Sequence, residues 1–282
     1  MKIGYFTAGT VGGGHIVRGL AIARGLRRAG YSGRFRIFSP IAIRGAGTWA
    51  EQEVVRASST ELEDPTSAWE SVLATAIYSY APDLVIVDLF WAPLRHVLPE
   101  LRCEAWLLLR KHPRWWFSGT SRRRFVSSQF ARIIAIEPFR SEHASEMIDP
   151  IVVCNPEECH DATGLRQLIC ATDAEPLVIA ICGGRPEEMA RLVDGRDCYQ
   201  WNLFDPNAPF PAAEWLPGAD AVLCGAGYNS FWEAAWLGYA RRAIFVPFAR
   251  SVDSQEWRLA TCLGRRVTSN GADVLAHWIM QP

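Results

Sequence analysis

Apolar runs of strand length alternate with segments of helical period along almost the whole chain, and this alternation constrains the fold more than any other feature. It is typical of β-α-β units and predicts parallel sheets. We predict a first series of strands at residues 2–7, 34–39, 84–88, 105–109 and 133–136, with helices at 16–29, 67–80 and 122–130. A second series has predicted strands at 177–182, 198–203, 221–224, 243–246 and 266–268, with helices at 186–193, 230–237 and 254–263.

Two such series in 282 residues predict two domains. The polar, proline-bearing stretch Asn155-Pro156-Glu157-Glu158 lies between them and is suited to a linker. The predicted fold class is therefore α/β, with Rossmann-like domains at residues 1–150 and 151–282. Their parallel sheets are expected to face a central cleft, because such sheets bind ligands at the carboxyl ends of their strands.

The composition excludes several classes of protein. A formal net charge of −1 predicts no nucleic-acid partner. No stretch approaches about 18 uninterrupted apolar residues, so no transmembrane helix is predicted, while peripheral contact with a membrane surface stays open. The first residues are typical of a buried strand and not of a signal peptide, and the eight cysteines form no C-x-x-C pair, which favours a cytoplasmic protein with reduced thiols. The spacing of Cys154, Cys159 and His160 is unlike that of a zinc knuckle.

The segment from Gly225 to Glu233 places a glycine turn between a buried strand and a helix. Glycines let a backbone approach a diphosphate closely, and free amides at a helix N-terminus attract negative charge. Asn229 or Ser230 can cap this helix, and Glu233 lies about one turn further on, where its carboxylate can accept two ribose hydroxyls. The alternative is an ordinary Rossmann turn with Glu233 as a solvated helix residue.

This segment and its continuation resemble the donor-binding signature of the UDP-glycosyltransferases and of the peptidoglycan N-acetylglucosaminyltransferase (glycosyltransferase family 28). The matching residues are Gly227-Tyr228-Asn229-Ser230-x-x-Glu233-Ala234, Leu237-Gly238, Val246-Pro247-Phe248 and Asp253-x-Gln255. The resemblance implies the two-domain GT-B architecture, with the diphosphate at the turn Gly225-Ala226-Gly227-Tyr228 and at Asn229 and Ser230, the ribose at Glu233, and the sugar at Asp253 and Gln255. Gly225 stands where many plant-type members carry a histidine, so backbone amides would replace that side-chain contact.

A second glycine run, Gly12-Gly13-Gly14-His15, follows the first predicted strand and opens a helix. A dinucleotide-binding turn would need an acidic residue after strand two, and Arg36-Ile37-Phe38-Ser39-Pro40 offers none. The run resembles the Gly-Gly-x-Gly-His element of the same family. His15 is the candidate general base, and Asp88, at the end of a predicted strand, is its candidate orienting partner. The alternative is that His15 caps the glycine loop and Asp88 caps the next turn.

Two further segments are candidates for contact with substrates. Gly183-Gly184-Arg185 precedes a predicted helix, and Arg185 is a candidate to neutralise a leaving diphosphate, with a solvated loop arginine as the alternative. Phe204 and Phe210 are both candidates to contact a base. Arg110, Lys111, Trp115 and Trp116, followed by Arg122-Arg123-Arg124-Phe125, form a basic and aromatic patch for an acceptor or an anionic surface; its alternative is a set of solvated arginines around a partly buried tryptophan pair.

The resemblance implies inverting transfer of a hexose, of N-acetylglucosamine type, from a UDP-sugar to an acceptor hydroxyl. No Asp-x-Asp motif follows an apolar strand, so neither a metal nor another cofactor is expected, and the UDP-sugar is a co-substrate. The acceptor is expected to be a glycan, a lipid-linked group or a small molecule. A nucleotide-sugar hydrolase on the same scaffold is one alternative. A non-catalytic nucleotide-sugar-binding subunit is another, favoured by the short stretch of chain after Gly271.

Overall fold

The computed structural model describes residues 1–10, 12–43, 49–58, 60–118, 124–172, 175–205 and 207–281. Contacts divide the chain into two compact units. The first comprises Met1–Thr10, Gly30–Ala42 and Gly47–Ile148, and the second Val11–Ala29, Ile43–Ala46 and Asp149–Pro282. Beside residue 150 the chain passes from the first unit to the second, and the first helix packs with the second unit. The division into domains at residues 1–150 and 151–282 stays a prediction. No helix in the described part of the chain is long and apolar enough to cross a membrane.

The first unit is built on a parallel sheet of seven strands in the order β3-β2-β1-β4-β5-β6-β7. The strands are β1 (Lys2–Phe6), β2 (Arg34–Ser39), β3 (Glu51–Val54), β4 (Leu84–Asp88), β5 (Glu104–Leu109), β6 (Arg132–Ala135) and β7 (Glu146–Met147). Apart from its last strand, this is the strand order of dinucleotide-binding Rossmann domains. Two helices connect β3 to β4, α2 (Pro65–Glu70) and α3 (Val72–Tyr80). The predicted parallel α/β fold is confirmed.

The edge strands β3 and β7 escaped prediction because they carry charged residues instead of apolar runs. Arg34 Nε donates to Glu51 (2.8 Å), and Arg36 Nη1 donates to Glu53 (2.8 Å). The strand β4 is the opposite case, since all five of its residues are buried. Apolar periodicity therefore identifies the central strands of this sheet and misses those stabilised by backbone hydrogen bonds and ion pairs.

Two predicted helices of the first unit differ from the structure. Residues 67–80 form parts of two helices, because Ser71 adopts an extended conformation and its hydroxyl caps α3 by accepting from Ala74 N (3.2 Å). The prediction of a helix at 122–130 is wrong for the described residues 124–130, which hold only the 3-10 turn Ser127–Gln129. Aromatic contacts hold this segment in a non-helical conformation, since the ring centroids of Phe125 and Phe117 lie 4.4 Å apart. Arg122 and Arg123 lie outside the described residues.

The second unit contains a parallel sheet of four strands in the order β11-β10-β8-β9. These strands are β8 (Val178–Cys182), β9 (Tyr199–Asn202), β10 (Ala221–Gly225) and β11 (Ala243–Val246). The helices are α1 (Gly14–Arg28), α4 (Ala162–Ile169), α5 (Pro186–Val193), α6 (Tyr228–Trp236), α7 (Gln255–Cys262) and α8 (Gly271–Met280). The predicted strand at 266–268 is wrong: the backbone amides of Thr268 and Ser269 instead donate to the Asp149 carboxylate, at 2.8 and 2.9 Å.

A close crossing of α1 and α8 explains why the first helix belongs to the second unit. A Cβ on Gly25 would lie 2.7 Å from the backbone oxygen of Ala272, so the two backbones meet with no room for a side chain. Ion pairs flank the crossing: Arg28 Nη2 lies 2.6 Å from Asp273 Oδ1, and Arg24 Nη2 lies 2.8 Å from Glu158 Oε1. The chain after Gly271 is thus a packed helix.

We expect Gly25→Ala to destabilise the protein by about 1–3 kcal/mol, because the new methyl group has to push the α8 backbone away. Gly164→Ala is the matched control, since a Cβ at this helical glycine would meet its nearest atom at an ordinary 3.5 Å. That control should be neutral or stabilise by up to about 1 kcal/mol through helix propensity. Urea unfolding measures both values, and equal stabilities of the two variants would contradict the crossing.

Candidate functional site

Three glycine turns meet in the second unit. They are Gly12–Gly14 before α1, Gly183–Gly184 before α5 and Gly225–Gly227 before α6. Gly13 N donates to Gly183 O (3.3 Å), and the Asn229 side-chain amide donates to Gly14 O (2.9 Å). Segments about 170 and 215 residues apart in the sequence thus form one backbone-lined site.

The helices that follow these turns begin without side-chain caps. The N-cap residues of α1 and α6 are Gly13 and Gly227, which have no side chain to offer, and Arg185 before α5 makes no capping bond. Uncapped helix N-termini carry partial positive charge and favour anions. The expectation that Asn229 or Ser230 caps α6 is wrong, because both lie inside the helix and the Asn229 amide binds Gly14.

Close packing around the turns explains their glycines. Gly12 has a φ of +76°, which side chains rarely adopt. A Cβ on Gly13 would lie 2.9 Å from Ile43 Cδ1, and one on Gly183 would lie 3.0 Å from Leu203 Cδ2. A Cβ on Gly13 or Gly183 would therefore require neighbouring side chains to shift, whereas one on Gly14 or Gly227 would meet its nearest atom at an ordinary 3.6 or 3.8 Å.

Two buried arginines that sequence reasoning missed lie beside the turn before α6. The Arg18 guanidinium lies 4.3 Å from the centroid of the Tyr228 ring, and that of Arg258 lies 5.8 Å from it. Arg258 Nη1 also donates to Ala226 O (2.9 Å), and the Tyr228 hydroxyl accepts from Ile151 N (2.8 Å). Two guanidinium groups thus adjoin the glycine turn, and that of Arg258 is paired with the carboxylate of Asp253.

A sequence signal for these arginines exists. Arg18 follows His15 by three residues on the buried face of α1, and Arg258 follows Gln255 by three residues on the buried face of α7. Polar residues at this spacing occupy positions where helical periodicity expects apolar side chains. On α1 the signal is a charged residue among buried apolar neighbours, whereas the buried face of α7 consists of Gln255, Arg258 and Cys262 and gives a weaker signal.

Asp253 and Gln255, which the resemblance assigns to the sugar, hold the connection between β11 and α7. Asp253 Oδ1 accepts from Arg258 Nη2 (2.8 Å), and Gln255 Oε1 accepts from Phe248 N (2.9 Å). The Gln255 amide nitrogen would lie 3.8 Å from a Cβ on Gly227, so it borders the glycine turn. Sugar binding by either residue stays a prediction.

Glu233 is a buried carboxyl on α6, only 7% exposed. Burial raises its pKa from 4.5 to about 7. Burial, followed by the charge of Glu233, raises the pKa of Cys224 and of Tyr239, which places the three groups in one buried cluster. The alternative of a solvated helix glutamate is wrong, while ribose binding by Glu233 stays a prediction.

The two candidate catalytic residues belong to different units. His15 is buried, and its Nδ1 lies 3.3 Å from Arg18 Nη1. A guanidinium only donates hydrogen bonds, so in this contact Nδ1 accepts and the neutral ring carries its proton on Nε2. Asp88 is buried at the end of β4, where its carboxylate accepts from the Tyr5 hydroxyl. Pairing of His15 with Asp88 stays a prediction.

Most of the remaining candidate side chains are exposed, and one of them is held by a hydrogen bond. The Arg185 side chain is 61% exposed, and its Nη1 lies 3.9 Å from Glu187 Oε1. Phe204 is also exposed. In the first unit Trp116 Nε1 donates to Leu89 O (3.3 Å), and Trp115 is 57% exposed.

The cations of the patch differ in their exposure, since Arg114 and Arg124 are exposed. Arg110 is buried, and the backbone amide of Lys111 donates to the buried Glu137 (2.7 Å). Arg124 borders a different feature, a cavity of about 730 Å³ that also includes the acidic Glu70 and Glu100. Binding of an acceptor or of an anionic surface by the patch stays a prediction. Within that same part of the chain, no group of three or more His, Cys, Asp or Glu side chains is placed to hold a metal ion.

No family model matches this sequence. No curated protein matches it either. Solved structures match over nearly the whole chain. The glycosyltransferase SsfS6 of Streptomyces sp. SF2575, complexed with thymidine diphosphate, has a TM-score of 0.58 at 14% identity, covering 100% of this chain and 91% of that chain.

Two further glycosyltransferase structures show the same fold. VinC in complex with dTDP has a TM-score of 0.56 at 15% identity, covering 99% of this chain and 90% of that one. UGT2 of Phytolacca americana, complexed with UDP-2-fluoro-glucose and pterostilbene, has a TM-score of 0.53 at 12% identity, covering 99% and 88%. The chain therefore has the GT-B fold of these glycosyltransferases.

We expect Glu233 to make the stability of the fold depend on pH. Between pH 4.5 and about 7 the unfolded chain ionises this carboxyl while the folded chain retains the proton. The free energy of unfolding therefore falls as pH rises through this window, by up to about 3 kcal/mol from this group. Glu233→Gln should remove this contribution, and Glu256→Gln, at an exposed helix glutamate, should not. Urea unfolding between pH 4.5 and 7 measures the free energy of unfolding of each variant. An identical dependence of this free energy on pH in the wild type and in Glu233→Gln would contradict the raised pKa of Glu233.

Proposed function

We propose that this chain transfers a hexose from a nucleoside diphosphate sugar to an acceptor hydroxyl. The observation that carries the proposal is the meeting of three glycine turns, through the Gly13–Gly183 and Asn229–Gly14 hydrogen bonds, in a chain with a GT-B fold. Uncapped helix N-termini and the buried Arg18 supply positive charge for a diphosphate, while the neighbouring Arg258 is paired with Asp253.

The proposed donor is a UDP-sugar, with a hexose of N-acetylglucosamine type. Asn229 and Ser230 would bind the diphosphate, Glu233 the ribose, and Asp253 and Gln255 the sugar, as the sequence resemblance implies. A dTDP-sugar is the main alternative donor, since two of the matching structures are complexes with dTDP and one is a complex with a uridine nucleotide sugar. The same site serves both, because the diphosphate is common to them.

In the proposed reaction, the acceptor oxygen attacks the anomeric carbon while the bond from that carbon to the diphosphate oxygen breaks. His15 would accept the hydroxyl proton, and Asp88 would orient the His15 ring. The configuration at the anomeric carbon would be inverted. For this role, Nδ1 of His15 would exchange its hydrogen bond from Arg18 for one from the acceptor hydroxyl. Helix N-termini and arginines, without a metal, would stabilise the charge on the departing diphosphate.

Nucleotide binding should raise the thermal stability of the protein. At about 100 times its dissociation constant, a ligand that binds only the folded state adds about 2.7 kcal/mol, which corresponds to a rise in Tm of about 5 °C or more. Thermal unfolding with UDP, dTDP, GDP and their sugars measures this rise, and the free nucleosides are the control. No response to any diphosphate at millimolar concentration would refute the proposed donor site.

We expect His15→Ala to lower donor turnover at least about 100-fold, because it removes the general base. Its nucleotide-induced rise in Tm should remain. His277→Ala, at an exposed histidine of α8, is the matched control and should retain full turnover. Turnover is measured as release of nucleoside diphosphate from the sugar donor that gives the largest rise in Tm, with a panel of acceptors and with water alone.

Two outcomes of this assay would change the proposal. Unchanged turnover in His15→Ala would remove His15 from the mechanism. Release of free sugar that equals nucleotide release, with no acceptor present, would replace transfer by hydrolysis.

A further inference from the structure

A partly buried ion pair joins the first turn of α5 to the loop after β11. Arg250 Nη2 lies 2.7 Å from both carboxylate oxygens of Glu188. The Glu188 side chain is 7% exposed and that of Arg250 is 26% exposed. Hydrogen bonds between two charged groups are about twice as strong as those between neutral groups. Arg250 is therefore held in place, with its side chain partly open to solvent.

This pair packs against one of the three glycine turns. A Cβ on Gly184 would overlap the Glu188 carboxylate and would lie 3.2 Å from Arg250 Nη2. The neighbouring Gly183 accepts the hydrogen bond from Gly13 that joins the turns. The guanidinium of Arg250 thus lies directly beside the backbone of the site in which a diphosphate is proposed to bind.

Arg250 is better suited than Arg185 to meet a diphosphate. The Arg185 side chain is 61% exposed and has a single carboxylate contact, at 3.9 Å, so fixing it on a ligand would cost most of its rotamer freedom. Arg250 is already ordered by Glu188 and by a bond from Nη1 to Ala249 O (3.1 Å). A guanidinium has five N–H groups in a rigid fork, so it can bind Glu188 and a phosphate oxygen together.

We propose that Arg250 binds the donor's diphosphate in addition to Asn229 and Ser230, and that Glu188 positions Arg250. This assignment rests on the proposed function. The buried carboxylate of Glu188 keeps the guanidinium beside Gly184, because leaving that charge without its partner would be costly. As the bond between the anomeric carbon and the diphosphate oxygen breaks, the electron pair stays on that oxygen, and a pre-positioned cation stabilises the new charge.

The test compares nucleotide affinities by calorimetry, with UDP and dTDP as diphosphate probes and uridine and thymidine as probes without phosphate. Arg250→Met should weaken diphosphate binding at least tenfold and leave nucleoside binding within twofold of the wild type. Arg241→Met, at an exposed arginine of the same unit, is the matched control and should change diphosphate binding less than twofold. Arg185→Met tests the competing assignment and should weaken diphosphate binding less than Arg250→Met does. Glu188→Gln should weaken diphosphate binding to an intermediate degree, and Arg250→Lys should restore part of the affinity lost in Arg250→Met.

The outcomes separate this assignment from the proposed function. If the wild type binds diphosphates and Arg250→Met binds them with equal affinity, the assignment of Arg250 is refuted and the proposed function is not. The same holds if diphosphate affinity falls tenfold in Arg185→Met and not in Arg250→Met. A wild type that binds no diphosphate refutes both. Circular dichroism establishes folding, and if Arg250→Met does not fold, Arg250→Lys decides: unchanged diphosphate affinity in that variant overturns the role of Arg250, and a selective loss for diphosphates over nucleosides supports it.

Discussion

The crossing of α1 on α8 is the contact on which the candidate site depends. Gly25 brings the two backbones so close that α1 packs with the second unit, although it follows the first strand of the other sheet in the chain. The ion pairs of Arg24 and Arg28 fix this position from the side. The glycine turn at the start of α1 consequently reaches Gly183 and Asn229, so a packing constraint near the C-terminal end of α1 determines what its N-terminal end can bind.

Charge in the second unit is distributed unevenly around this site. Arg18, Arg258 and Arg250 all adjoin the glycine turns, and two of them have carboxylate partners that hold them in fixed positions. Glu233, which a sequence reader would count as a negative charge, is buried deeply enough that its pKa rises to about 7. The surroundings of the turns are therefore more positive than a count of residues suggests, which favours an anionic ligand and restrains the arginines before it arrives.

Sequence reasoning predicted the central strands and the glycine turns because each has a local signal. β4 is a continuous apolar run, and the turn Gly225–Gly227 follows a buried strand directly. The edge strand β3 was missed, because its stability comes from pairing with β2 and from arginine–glutamate contacts. Arg250 was missed for a similar reason: its importance lies in a bond to Glu188, which is 62 residues away in the sequence.

The parallel α/β architecture and the glycine turns can be predicted from the sequence, since both depend on periodicity and on residue types that act within a few positions. Which turns meet, which arginines lie beside them, and the burial of Glu233 follow only from the three-dimensional packing. Those properties depend on contacts between residues far apart in the chain, such as Asn229 with Gly14. A local pattern does not contain such contacts, because they exist only after α1 has packed against the second unit.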